Sequence, residues 1–204
     1  MPHGRVEEGD NDASVDDALD VLVCLGDSLT TGARDRYFRS YPLELASAMS
    51  QKTNEAWLCA TEAVNGQTSS DLARNAYRLL LPYTDVYGAL ILIGTNDSRR
   101  GIPPAIFVDN VSQIVSACRV LGKKPYVLTI PMVDYNRHFL WYSKESAILI
   151  EEYNNALAKL DNIALIDIRP SVTSAHLIDG VHFSHEGNVQ VAETVAAFLH
   201  RDQA

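Results

Sequence analysis

The segment Val21-Leu22-Val23-Cys24-Leu25-Gly26-Asp27-Ser28-Leu29-Thr30 decides how this chain reads. Five consecutive apolar residues ended by a glycine form the pattern of a strand buried on both faces. A polar Asp-Ser pair follows at once, where a helix start or a ligand loop begins. Similar runs recur downstream. Trp57-Leu58-Cys59-Ala60, continuing to Val64, reads as a weaker second strand. Tyr87 to Ile93 reads as a strong third, Tyr126 to Ile130 as a fourth, and Ile163 to Ile166 as a fifth.

Helix-period segments lie between the runs. Phe107, Val111, Ile114, Val115 and Cys118 repeat at the spacing of one apolar helix face. Pro103-Pro104 suits the start of that helix and Gly122 its end. Residues 68–81, 143–160 and 187–200 carry further helical patterns, and Thr68-Ser69-Ser70-Asp71 offers hydroxyl caps for the first of these. Apolar strands alternating with helices predict an α/β fold, a three-layer flavodoxin-like sandwich. It has a mainly parallel five-stranded sheet with helices on both faces.

The bulk figures suit one such domain. The chain has 204 residues, 47% of them hydrophobic and 21% charged. Its net charge is −9, unevenly spread. Residues 1–19 hold Glu7, Glu8, Asp10, Asp12, Asp16 and Asp17 against Arg5, so −5 falls on this stretch and −4 on the remainder. Without aromatics or periodicity, 1–19 is expected to be a disordered acidic tail, which can also serve as a partner-binding segment, and 20–204 the domain. The acidic balance argues against nucleic acid as a partner. No apolar run reaches the roughly 20 residues of a membrane-spanning helix. Met1 to Glu8 lacks a signal-peptide hydrophobic stretch, so a cytoplasmic location is expected. Cys24, Cys59 and Cys118 read as reduced core residues, too far apart in sequence for a zinc motif.

In parallel α/β sheets the ligand site lies outside the carboxyl ends of the strands. Polar residues cluster at just those positions. The first strand runs into Gly26-Asp27-Ser28, the second into Asn65-Gly66-Gln67, and the third into Gly94-Thr95-Asn96-Asp97. Past the fifth come Asp179-Gly180-Val181-His182. Acyl transfer needs groups of these kinds. A serine hydroxyl requires a base to remove its proton, and His182 can supply one. Asp179 can orient that imidazole and stabilise the imidazolium. The Ser28 N–H, the Gly66 N–H and the Asn96 side-chain amide are suitable oxyanion donors, and Gly66 has no Cβ to block close approach.

With these blocks in hand, the sequence resembles the SGNH, or GDSL, hydrolase family. The resemblance spans roughly residues 20–200 and rests on four blocks in family order: Val23 to Gly32, Asn65-Gly66-Gln67-Thr68, Gly94-Thr95-Asn96-Asp97, and Asp179-Gly180-Val181-His182 with Glu186-Gly187 after it. It departs at Phe183, where the family often has proline. Thr30 also occupies the last glycine position of the Gly-x-Ser-x-Gly elbow, so that motif is absent. The implied activity is hydrolysis of carboxylic esters or thioesters through a Ser28 acyl-enzyme, without cofactor or metal. The substrate would be a small-molecule acyl ester or thioester. Acyl transfer to an alcohol by the same site and a non-catalytic binding domain are the alternatives.

Simpler roles stand beside these. Ser28 can be a helix N-cap, Asn96-Asp97 a turn, and Gly66 a turn glycine. His185 competes with His182 as base, but the Asp-x-x-His spacing favours His182. Asp27 and Asp97 read as loop-fixing carboxylates, and a metal held by Asp27, Asp97, Asp179 and His182 lacks a matching ligand motif. Arg34, Arg36 and Arg39 follow the serine, and Arg99 and Arg100 follow Asn96. They point to a substrate with an anionic portion, or else pair with local acids such as Asp35 and Asp97. Tyr135 to Tyr142, with Phe139 and Trp141, offers an apolar wall for the acyl or leaving group, or merely packs over the sheet.

Overall fold

The structure is a computed structural model and describes residues 19–37, 39–137, 140–161 and 163–203. Strands β1 (Asp20–Gly26), β2 (Trp57–Ala63), β3 (Gly88–Leu92), β4 (Pro125–Leu128) and β5 (Ala164–Ile166) alternate with helices α1 (Ser28–Thr31), α2 (Tyr41–Thr53), α3 (Ser69–Leu80), α4 (Thr95–Arg99), α5 (Pro104–Val120), α6 (Lys144–Leu157) and α7 (His185–Gln203). A 3₁₀ turn covers Ser174–His176. The acidic tail expected over 1–19 falls almost wholly outside the described residues.

All five strands run parallel, in the order β2-β1-β3-β4-β5. This is the flavodoxin-like order, and its consequence is positional. The chain leaves β1 toward β2 on one side and returns to β3 on the other. A crevice therefore opens beyond the carboxyl ends of β1 and β3.

Alternation along the strands explains why both faces are covered. Val23, Leu25, Ala89 and Ile91 pack one way, onto the buried faces of α3, α5 and α6. Leu22, Cys24, Leu90 and Leu92 point the other way, onto Tyr41, Leu45 and Met49 of α2 and Val191, Val195 and Leu199 of α7. Successive residues of a strand face opposite sides, so an all-apolar β1 needs a helical layer on each. Gly26 ends β1 because nothing larger fits. A Cβ there would stand 2.1 Å from Thr30 Oγ1 and 2.5 Å from the Leu92 carbonyl oxygen.

The expected helices differ from the observed ones mainly at their ends, while α2 and the short α1 and α4 are additional. The buried stripe of α2, Tyr41, Leu45 and Met49, is narrow, while Leu43 is exposed and Pro42 sits at its first turn. One cysteine expectation needs correction. Cys24 and Cys118 are buried, but Cys59 is only partly so, because β2 is an edge strand. Cys59 also lies near the Cys24 thiol and, with burial, pushes it up, so the two thiols are distant in sequence and close in space.

Candidate active site

The carboxyl ends of the strands deliver the expected polar groups to one place. Asp27 has a fully buried side chain and caps α1: its Oδ1 accepts from the Leu29 N–H at 2.9 Å. Ser28 is therefore the first residue of α1, not its cap, and its hydroxyl is left for other work. Of the simpler roles set out for Ser28, the capping one is taken by its neighbour.

Ser28 Oγ lies 3.1 Å from His182 Nε2, and His182 Nδ1 lies 2.8 Å from Asp179 Oδ2. The second carboxylate oxygen is also employed. Asp179 Oδ1 accepts from the backbone N–H groups of Val181 at 3.0 Å and His182 at 2.9 Å. The Asp-x-x-His spacing thus makes a tight loop in which the aspartate fixes both the backbone and the ring. The carboxyl is held well below the usual carboxylate range: burial opposes this, but the His182 side-chain and backbone hydrogen bonds outweigh it. His185 does not compete, since its ring turns toward α2, with Nδ1 3.9 Å from Glu44 Oε1.

A second brace holds this loop from the segment after β4. The Asp134 N–H donates to the Gly180 carbonyl at 2.7 Å, and Arg137 donates to the carbonyls of Ser174 and Ile178. Ser174 Oγ in turn donates to Asp134 Oδ2. Phe183 is buried in the core, and Leu177 and Phe183 form an isolated antiparallel bridge. Phe183, where the sequence departs from the family pattern, thus anchors a ring below the loop.

Gly66 and Asn96 come to the same crevice, with qualifications. Gly66 adopts φ +80°, and a Cβ built on it meets nothing within 4 Å. The left-handed backbone calls for glycine here, a second reason for the residue beside the approach of a ligand oxygen to its N–H. Asn96 Nδ2 donates to Asp27 Oδ2 and to the Gln67 carbonyl, each at 3.1 Å. Its amide faces the crevice but is engaged by protein oxygens. Burial pushes the Asp27 carboxyl up to about 7, against the opposing pull of the Leu29 N–H and His182. Asp97 accepts from Ser69 N–H at 2.9 Å and Ser69 Oγ at 2.5 Å, joining α4 to α3, and burial raises its pKa too.

Ser28, Gly66, Asn96 and His182 line a cavity of about 260 Å³. A family model, the GDSL-like lipase/acylhydrolase family, matches residues 24–189, a span that holds every one of these groups. The chain belongs to that family.

Relatives agree with the GDSL assignment. An arylesterase of Vibrio mimicus is 26% identical over 189 residues, covering 89% of each chain. A protein named thioesterase 1/protease 1/lysophospholipase L1, from Escherichia coli K12, is 28% identical over 126 residues, 60% of this chain and 57% of its own. Among solved structures, a carbohydrate acetylesterase from Sinorhizobium meliloti superposes with a TM-score of 0.73 at 17% identity. It covers 89% of this chain and 99% of its own. The M. smegmatis aryl esterase gives 0.72 at 17% identity, covering 91% and 100%. These two establish likeness of fold.

Two of the five arginines after the GDSL and Asn96 blocks leave the site. Arg39 pairs with Glu44 at 2.5 Å, and Arg36 lies over the Tyr37 ring. Arg100 reaches the Gly66 carbonyl at 3.4 Å. Arg34 and Arg99 line the cavity, as does Trp141. Phe139 lies outside the described residues. Ala33 and Asn65 also line the cavity, and so does the nearly buried Tyr142, the last aromatic of the expected Tyr135 to Tyr142 wall. Among the described residues no three His, Cys, Asp or Glu side chains gather as metal ligands, and no helix is long and apolar enough to cross a membrane.

Proposed function

We propose that this protein hydrolyses carboxylic esters or thioesters with Ser28 as nucleophile, His182 as general base and acid, and Asp179 as the group that orients His182. The observation that carries the reading is the continuous chain from Ser28 Oγ to His182 Nε2 (3.1 Å) and from His182 Nδ1 to Asp179 Oδ2 (2.8 Å). Kinship with proteins named arylesterase and thioesterase supports the substrate class.

Ser28 Oγ bonds to the carbonyl carbon while its proton passes to His182 Nε2, and the carbonyl oxygen becomes an oxyanion. The N–H groups of Ser28 and Gly66, and the Asn96 amide, are the donors nearest that charge. Asn96 serves once an oxyanion replaces one of its present acceptors. Collapse breaks the bond to the leaving oxygen or sulfur, which takes the proton from His182. Water then attacks the acyl-enzyme, gives one proton to His182, and releases the acid as Ser28 recovers its hydrogen.

The test is covalent labelling of Ser28 by a fluorophosphonate, with Ser28→Ala as control, alongside turnover of short 4-nitrophenyl esters. Labelling confined to Ser28, with turnover reduced by about 10⁴-fold or more in Ser28→Ala, is expected. Absent labelling of the folded protein, or a Ser28→Ala rate equal to the parent, overturns the reading.

A further inference from the structure

We propose that Arg34 and Arg99 make the catalytic cavity selective for esters or thioesters that carry an anionic group, a carboxylate or phosphoryl, close to the scissile bond. The inference rests on the serine-hydrolase reading above and deepens it.

The chain carries a net −9, yet among the described residues those lining the cavity include Arg34 and Arg99 and no aspartate or glutamate. Other arginines are committed to close partners: Arg39 to Glu44, Arg74 to Asp71, Arg169 to Asp167, Arg137 to two carbonyls. Arg34 and Arg99 are held differently.

Arg34 Nε stands 3.7 Å from Asp179 Oδ2, an oxygen already bonded to His182 at 2.8 Å, and its side chain is 66% exposed. That is a loose contact, readily exchanged for a ligand oxyanion. Its backbone is also unusual. Arg34 takes φ +74°, a left-handed conformation that non-glycine residues seldom adopt and that clusters at ligand sites. The turn after α1 thus holds an arginine where a glycine would fit more easily, and directs it to the cavity.

Arg99 sits on α4, three residues beyond Asn96, with its guanidinium carbon 5.1 Å from the Trp141 ring centroid. Stacking occupies the face of a guanidinium and leaves its edge, which carries the N–H donors. Such an edge matches the paired oxygens of a carboxylate or phosphoryl group. Arg34 and Arg99 line the same cavity as Ser28, which places that group within a few bonds of the carbonyl.

Two substrate pairs test this at low salt. 4-Nitrophenyl hemisuccinate against 4-nitrophenyl pentanoate places the charge in the acyl part. 4-Acetoxybenzoate against its methyl ester places it in the leaving group. The expected result is a preference of about tenfold in kcat/KM for the charged member of at least one pair, acting mainly through KM. Arg34→Ala with Arg99→Ala should bring that ratio to about one, the Lys versions should retain part of it, and added salt should reduce it. Arg74→Ala, outside the cavity, should leave the ratio as it is. Equal rates within both pairs, or a preference unmoved in the double variant, overturns the inference. A protein that labels at Ser28 and cleaves the uncharged esters but shows no such preference loses only this inference. One that neither labels nor cleaves loses the hydrolase reading as well, and this inference with it.

Discussion

Asp27 Oδ2 accepts a hydrogen bond of 3.1 Å from Asn96 Nδ2, across 69 residues of chain, and so ties the loop after β1 to the loop after β3. Buried carboxylates of this kind carry both geometry and a pH dependence.

Asp27 is fully buried and its folded pKa is about 7, above the ordinary 3.8. For an acid raised on folding, the native state holds the proton more tightly than the unfolded chain. Between about pH 4 and 7 the native state binds more protons, so this group's contribution to stability falls as pH rises. Asp27→Asn should flatten that part of the stability profile, measured by urea unfolding at several pH values. It should also lower kcat by about tenfold or more, because an amide nitrogen replaces one of two acceptors that place Leu29 N–H and Asn96. A parent profile with no downward component across this window would contradict the assignment.

Asp179→Asn keeps the shape of the loop but presents an amide to His182 Nδ1. The wrong ring tautomer is then favoured, and kcat should fall by about 10³–10⁴ with little change in KM. Circular dichroism should match the parent. Loss of folding in this variant would mean that the two backbone bonds to Oδ1 dominate the residue's role.

Gly66→Ala should cost about 1 kcal/mol in stability, since φ +80° strains any side chain there although no neighbour obstructs a Cβ. Gly66→Asn should be milder, because asparagine enters the left-handed region more readily. Equal losses for Asn and Val at this position would point to a steric cause instead. Denaturant melts of the three variants settle the order.

Arg34→Gly should be more stable than Arg34→Ala by about 1 kcal/mol. Both lose the guanidinium, and only alanine remains in a strained backbone at φ +74°. Identical stabilities would show that the turn relaxes on substitution.

The layout of the sheet was legible because β1 and β3 are almost wholly apolar and end at polar turns. The loop positions of Ser28, Asn96 and His182 followed from it. Other features depend on contacts between distant segments. The α2 stripe of Tyr41, Leu45 and Met49 is too narrow to stand out beside Pro42 and exposed Leu43. That Asp27, not Ser28, caps α1 depends on a side-chain rotamer. The partners of Asn96, Asp27 and the Gln67 carbonyl, lie 69 and 29 residues away. Tyr142 becomes cavity wall only once the segment after β4 has folded back. Arg34 and Arg36 are near neighbours in sequence, and only the turn separates a cavity residue from one stacked on Tyr37.

The bond from Asp134 N–H to the Gly180 carbonyl, with Arg137 gripping Ser174 and Ile178, has an evolutionary reading. The segment that supplies Trp141 and Tyr142 also steadies the histidine loop. Exchanging those two rings one at a time, with Asp134 and Arg137 kept, should therefore reshape the cavity wall without loosening the histidine loop. Transplanting the whole segment from a relative would import a new wall and discard the strut, so inherited diversity at this position should come with matched changes between residues 174 and 182.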